Sequence, residues 1–199
     1  RAAWPDRGPM TRETSTDRRI LRTRRSIERA LLALLSKHPL EKITVEDICD
    51  EALVNRGTFY RHYHDKQEVA DSLAKRGLAE FEDEAMGAIR NLAAGKPAED
   101  DDRADEALGI LIPLKSYIYE GTSVEDHVRQ IMEDALGILS QAGMLEQDPA
   151  TEAWAYTELA FEYSRYCRSV CHPVSVDAYV AAILEAAHIY QKILEPSAR

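Results

Sequence analysis

Apolar residues recur every three or four positions through most of the chain, the spacing of one face of an α-helix. In the first such segment, residues 18–37, they are Ile27, Ala30, Leu31, Leu34 and Leu35, and His38 and Pro39 follow as a terminator. No segment alternates apolar and polar residues as a half-buried strand would. Later apolar runs predict helices at about residues 66–92, 104–120, 123–142, 149–170 and 174–195. The pattern therefore predicts an all-α protein.

Residues 44–66 predict two short helices separated by a tight turn. Thr44 is a good N-cap, and the apolar residues that follow it are spaced by three and four to make one helical face: Val45, Ile48, Cys49 and Ala52. Asn55 caps a second, shorter helix. This arrangement indicates a helix-turn-helix.

The second helix has a core side and an outer side. Phe59 and Tyr63 are four residues apart and are expected to face the core. The other side chains are groove-facing candidates, because arginine, hydroxyl and small residues suit contact with bases and phosphates: Arg56, Gly57, Thr58, Tyr60, Arg61 and His62. Asp65 and Glu68 form a capping-box pattern that sets Lys66 in the first turn of the next helix.

This segment resembles the DNA-binding domain of the TetR family of bacterial transcriptional regulators. The resemblance is carried by Thr44, Val45, Asp47, Ile48, Ala52, Val54, Gly57, Thr58, Tyr60, His62 and Lys66. It implies that Arg56 and Gly57 approach bases, that Thr58, Tyr60, Arg61 and His62 share bases and phosphates, and that Thr44 and Lys66 hold the DNA backbone. Asn55 completes the expected DNA-binding set.

Two positions depart from the family pattern. Leu53 replaces the usual glycine of the turn, where a left-handed backbone costs more for a side chain with a Cβ, and Tyr63 replaces a common phenylalanine. Leu53 and the acidic residues near it also leave open a protein-interaction adaptor that keeps the helix-turn-helix shape. A third alternative is a DNA-bound architectural protein without a small-molecule effector.

The charge distribution divides the chain at Lys66, and the lack of an apolar period in residues 1–17 separates that segment from the rest. Residues 1–66 carry 14 Lys and Arg against 10 Asp and Glu, whereas residues 67–199 carry 11 against 25. A basic segment would meet phosphates while an acidic remainder stays away from DNA. We expect a disordered arm or expression remnant at 1–17, a DNA-binding domain at 18–66 and a helical ligand-binding and dimerisation domain at 67–199. The arginines before and within the first helix could reach phosphates or simply be solvated.

The last two predicted helices each have a wide apolar face. Such faces need partners, and we expect the equivalent helices of a second subunit to supply one, giving a four-helix bundle about a twofold axis. Burial within one chain is the alternative. The expected interface residues are Tyr156, Tyr163, Val176, Val180, Ile183, Ala187, Tyr190 and Leu194.

The family resemblance also implies a small-molecule pocket in the body. Pro113 interrupts an apolar run, so it would either kink a helix and open a cavity or start a new helical segment. Candidate ligand-lining residues are Tyr117, His127, Trp154, Tyr163 and Tyr166. Plain core packing is the alternative for each.

Other classes of protein are disfavoured by the sequence. It contains no phosphate loop, nucleophile elbow or metal-binding Cys/His spacing, so we predict no enzyme, no cofactor and no metal. Cys167 and Cys171 could form a redox sensor but are more simply structural thiols. No apolar run is long enough to span a membrane, and we expect a cytoplasmic protein. The sequence thus predicts a homodimeric transcriptional regulator, a repressor by family habit, that binds a double-stranded palindromic operator and is released by an unknown small-molecule effector.

Overall fold

The computed structural model describes residues 12–96, 103–145 and 148–169 of the chain. Within these ranges the helices are α1 Arg12–Leu35, α2 Val45–Ala52, α3 Arg56–Phe59, α4 Lys66–Ala93, α5 Arg103–Leu111, α6 Val124–Gln141 and α7 Pro149–Ser169. Short 3-10 turns occur at Leu40–Lys42 and Ile112–Leu114, and β1 Ile118–Tyr119 pairs antiparallel with β2 Thr122–Ser123. The expected all-α fold class is confirmed, with this small hairpin as an addition.

The chain divides into two compact units, Arg1–Ala70 and Asp71–Arg199. We call them the head and the body. The first residues of α4 belong to the head and the remainder of that helix belongs to the body. In the described part of the chain, no helix is long and apolar enough to cross a membrane.

The head is built on the apolar face that the sequence indicated. Ile27 and Leu31 of α1 are fully buried, together with Ile48 of α2 and Phe59 of α3, and Tyr63 is 2% exposed. Helix α1 begins at Arg12, earlier than the expected start near residue 18. It ends at Leu35, just before the predicted terminator.

Local hydrogen bonds define the helix-turn-helix. The Thr44 hydroxyl accepts from the Asp47 amide (3.1 Å), and the Asp47 carboxylate accepts from the Thr44 amide (2.8 Å). These reciprocal bonds satisfy amides that would otherwise lack partners at the start of α2. Leu53 ends α2 in the left-handed conformation, with φ of 55°. Asn55 then caps α3 by accepting from the Thr58 amide (2.7 Å), as predicted.

The body packs α6 against α7 and α5 against α7. Its core includes Leu111, Val128 and Leu136, with Tyr156 and Phe161 from α7. On α4, a Cβ at Gly77 would lie 2.9 Å from a methyl carbon of Leu111, so the glycine permits close approach to α5.

The predicted helix over residues 104–120 was too long. Helix α5 ends at Leu111, and Pro113 lies in the following 3-10 turn. The chain then forms the hairpin, whose turn residues Glu120 and Gly121 both have positive φ. Periodicity missed this hairpin because two-residue strands are too short to show alternation.

Candidate nucleic-acid interface

Helix α3 presents the outer side that the sequence predicted. Arg56, Gly57, Tyr60 and Arg61 are exposed, whereas Thr58 and His62 are half-buried. The helix itself ends at Phe59, and Tyr60 to Tyr63 continue as a turn in which the His62 and Tyr63 amides donate to the Phe59 carbonyl. The structure therefore brings these candidate DNA-binding residues onto one short segment.

Arg56, the first residue of α3, is paired with Glu46 of α2. The guanidinium Nη2 lies 2.5 Å from the Glu46 Oε2, and both side chains are mostly exposed, at 61% and 65%. An exposed ion pair of this kind contributes at most about 1 kcal/mol and exchanges readily for another anion. Arg56 is thus held in place without being buried.

A basic groove of about 570 Å³ lies between α1 and the α3 segment. Thr58, Arg61 and His62 line one side, and α1 lines the other with Arg19, Ile20, Thr23 and Arg24. Sequence reasoning named the arginines of α1 only as a group and missed Thr23. The signal available was the spacing of Arg19 and Thr23, which places both on one helical face. Three guanidinium groups and two hydroxyls in one concave surface suit a phosphate.

Half-burial affects His62 in this groove. Burial lowers the pKa of His62, and the positive charges of Arg61 and Arg24 lower it further. The ring is therefore mainly neutral at neutral pH. An anion in the groove would offset these charges and favour the protonated ring.

A hydrogen-bonded brace connects α1 to the segment after α3. The Tyr63 hydroxyl donates to the Glu28 Oε1 (2.7 Å), and Arg24 Nε donates to the Tyr63 oxygen (3.3 Å). The Arg24 guanidinium also lies 4.9 Å from the centre of the Tyr63 ring. From the sequence, Tyr63 was interpreted only as a core residue that mildly changes the packing of the usual phenylalanine. Its hydroxyl in fact gives the buried Glu28 a partner, which a phenylalanine could not do.

Lys66 was expected at the DNA backbone, but its ammonium group points to the protein backbone. The Nζ donates to the carbonyls of Leu40 (2.7 Å), Glu41 (3.1 Å) and Ile43 (2.6 Å). An ammonium group has three hydrogens, so in this conformation none remains for a phosphate. Lys66 instead fastens the start of α4 to the segment that leads into α2.

The candidate ligand-lining residues of the body differ in their hydrogen bonds and in their exposure to solvent. The Tyr117 hydroxyl donates to Asp71 (2.8 Å), and His127 Nδ1 lies 3.0 Å from the Ser123 carbonyl oxygen. Trp154 is 58% exposed. The side chains of Tyr163 and Tyr166 lie outside the described residues, as do Cys167 and Cys171.

Of the expected interface residues, Tyr156 is described and is 2% exposed. Its ring is already covered by its own chain, and burial raises its pKa. Within the single chain Tyr156 therefore belongs to the body core, and its place in a dimer interface stays a prediction. The side chain of Tyr163 is outside the described part of the structure, and the remaining interface candidates lie outside the described residues: Val176, Val180, Ile183, Ala187, Tyr190 and Leu194.

Residues 27–73 match the family model described as bacterial regulatory proteins, tetR family. The chain is also 34% identical over 111 residues to the uncharacterized HTH-type transcriptional regulator YxbF of Bacillus subtilis (strain 168). That match covers 55% of this chain but only 28% of the relative's length.

Solved structures share the fold at low sequence identity. A gamma-butyrolactone receptor (ArpA-like protein) has a TM-score of 0.55 and 15% identity, with 87% of this chain and 98% of that chain covered. The SmeT–triclosan complex has a TM-score of 0.52 and 20% identity, with 82% and 90% covered. The likeness therefore extends beyond the head into the body.

Proposed function

We propose, from the premise that this chain belongs to the TetR family of bacterial regulatory proteins through its amino-terminal domain, that it is a DNA-binding transcriptional regulator. The proposal includes no catalytic step and no cofactor. It rests first on the head, where the family match coincides with the described helix-turn-helix.

The observation that carries the proposal is the combination of α3 with the adjoining basic groove. Arg56 and Gly57 stand at the exposed start of α3, where a recognition helix presents side chains to base edges. Arg19, Thr23 and Arg61 line the groove beside it and suit phosphate oxygens. We assign base contacts to the first pair and backbone contacts to the groove.

Two heads would act together in this proposal. A homodimer related by a twofold axis would place two recognition helices in successive major grooves about 34–36 Å apart. The operator would accordingly be palindromic. The apolar faces predicted for the last two helices support a dimer.

Release by a small molecule is the second part of the proposal. Two of the structural neighbours are a gamma-butyrolactone receptor and a complex of SmeT with triclosan. By analogy with that shared fold, an effector would bind the body better when the two heads are misaligned for DNA. A coupling of about 1–3 kcal/mol would be typical of such a population shift. That the bound regulator represses, and that the effector relieves this repression, is proposed from family habit.

Fluorescence anisotropy tests DNA binding directly. The purified chain is titrated onto duplex DNA from around its own gene and onto random duplex DNA at several salt concentrations. We expect tighter binding to one segment of the gene-proximal DNA and a steep loss of affinity with salt, because phosphate contacts release counterions. The same assay then serves to screen for effectors.

A DNA affinity that does not change with salt concentration would contradict the proposal. If the affinity of the head for both the gene-proximal and the random duplex is independent of salt, the protein-interaction adaptor is supported. The exposed Leu53 would then form part of the protein-binding surface. Sequence-specific binding that no effector reverses would support the architectural alternative.

A further inference from the structure

The arginines of α1 lie on different faces of the helix. One group of them does not line the groove beside α3. Arg24 is engaged with Tyr63, and Arg19 lines the groove beside α3. Arg22, Arg25 and Arg29 line a second groove of about 450 Å³. With 3.6 residues per helical turn, these three fall within a sector of about 60°, on a different side of α1 from Arg19 and Thr23.

The second groove is shallow and strongly basic. Its other lining residues are Ser26, Ala30, Ala33 and Glu51. The small side chains leave room for a large ligand between the guanidinium groups. Arg22, Arg25 and Arg29 are all exposed, and none of them forms an ion pair in the part of the chain that the structure describes.

Such a row of like charges disfavours an isolated helix. Like charges three or four residues apart destabilise a helix by a few tenths of a kcal/mol per pair, and the single carboxylate of the groove, Glu51, cannot neutralise three arginines. The core of the head does not require these side chains, since all three are exposed. An external polyanion would remove the repulsion.

We propose that the groove lined by Arg22, Arg25 and Arg29 is a second contact for the phosphate backbone of duplex DNA, separate from the α3 segment. The three residues span about 10 Å along the helix axis. One DNA strand carries a phosphate about every 3.4 Å of its axis, so this length corresponds to about three phosphates. The inference rests on the proposed DNA-binding function and extends its footprint to another face of α1.

The test compares salt dependence in two matched triple variants of the full chain. Arg22→Gln, Arg25→Gln and Arg29→Gln together remove the groove charges. Lys37→Gln, Lys75→Gln and Arg90→Gln remove the same number of charges from exposed positions that do not line the groove. The probe is a random-sequence duplex about two helical turns long, and far-UV circular dichroism checks that each variant is folded.

We expect the groove variant to flatten the slope of log affinity against log salt by about 2–3 per bound protomer, since each lost phosphate contact contributes about 0.9. The control variant should keep the wild-type slope to within about 1. Glu51→Gln should raise DNA affinity more than Asp50→Asn does, because Asp50 is exposed on the same helix but does not line the groove.

Equal slopes for wild type and the groove variant would overturn the proposal while leaving the function of the α3 segment intact. Wild-type protein that shows no salt-dependent binding to DNA would overturn the proposed function itself. If the groove variant keeps its DNA slope but loses binding to poly-glutamate, the groove serves an acidic protein and the DNA assignment is wrong.

Discussion

Arg56 has one partner in the protein and, in the proposed function, another on DNA. Glu46 holds its guanidinium at 2.5 Å without burying it. The pair holds the arginine at the start of α3. The carboxylate also weakens the attraction of the arginine for the phosphates of random DNA. Base preference should therefore depend on both residues.

For Arg56→Ala we expect a loss of about 1–3 kcal/mol of discrimination between specific and random DNA, because a base contact is lost. Glu46→Gln should instead raise affinity for random DNA by up to about fivefold, the equivalent of an exposed ion pair. Anisotropy on both DNAs measures each effect, with Asp50→Asn as the matched control, because Asp50 is an exposed carboxylate that lines neither groove. Equal losses on both DNAs for Arg56→Ala would contradict its role in base reading.

Leu53 is strained rather than packed. Its φ of 55° lies in the left-handed region, and its side chain is 91% exposed. Leu53→Gly should stabilise the head by about 0.5–1 kcal/mol, because release of the Cβ strain exceeds the entropy that glycine adds to the unfolded chain. Thermal denaturation measures the change. Leu53→Ala keeps the Cβ and should give no gain; an equal gain would show that the exposed leucine, not the backbone, carries the cost.

At the scale of elements, Lys66 joins α4 to the segment before α2 through three carbonyl groups. Lys66→Met should loosen that junction by about 2 kcal/mol, since hydrogen bonds from a charged donor contribute more than neutral ones. Amide hydrogen exchange should become faster in α2 and remain unchanged in α6. DNA affinity should fall on all sequences together.

The exposed Lys37 provides the control, because Lys37→Met removes one charge without touching the junction. If Lys66→Met weakens DNA binding while exchange in α2 stays at the wild-type rate, Lys66 contacts phosphate directly. The family-based expectation would then be correct.

In the body, Lys115 lies between two carboxylates on different helices. Its Nζ is 3.2 Å from Glu125 of α6 and 3.2 Å from Glu158 of α7. Burial raises the pKa of Glu125, and a hydrogen bond with Glu125 lowers the pKa of Glu158. One cation thus stabilises two facing acids.

Lys115→Met should raise the pKa of Glu125 further above its unfolded value and lessen the lowering of the pKa of Glu158. Groups shifted in this direction stabilise the fold at low pH and lose that contribution as pH rises. The variant should therefore resemble wild type near pH 4 and be destabilised by about 1 kcal/mol at pH 7, a magnitude limited by partial exposure. Thermal denaturation across pH measures this, and adding Glu158→Gln should restore stability at pH 7. A deficit that is constant with pH would exclude carboxylate repulsion.

At the scale of the whole molecule, assembly decides how DNA would be read. A chain of 22.4 kDa should scatter light as a species of twice that mass if the dimer forms. Ile183→Glu should yield monomers that bind operator DNA weakly, since one head loses the tethering of the second. Trp154→Glu changes an exposed aromatic of α7 and serves as the comparison. Wild-type chain that is monomeric at micromolar concentration would refute the dimer.

Local sequence determined the helix caps and the buried face of the head. Thr44 and Asn55 cap the helices that they were predicted to cap, and Phe59 and Tyr63 are buried as their four-residue spacing indicated. These features depend on neighbours in the chain and on helical periodicity, so they can be read without a structure. The family pattern then supplied the candidate DNA-binding residues.

Only the tertiary structure determined which residues far apart in the sequence are in contact. Lys66 lies more than twenty residues from the carbonyls it binds, Tyr63 is 35 residues from Glu28, and Glu46 and Arg56 meet across the turn. It also separated the arginines of α1 into a brace and two grooves, and it covered Tyr156 within its own chain. Hydrogen bonds and ion pairs between helices depend on how those helices pack, and a hydrophobic pattern fixes the buried face without fixing the neighbour that covers it.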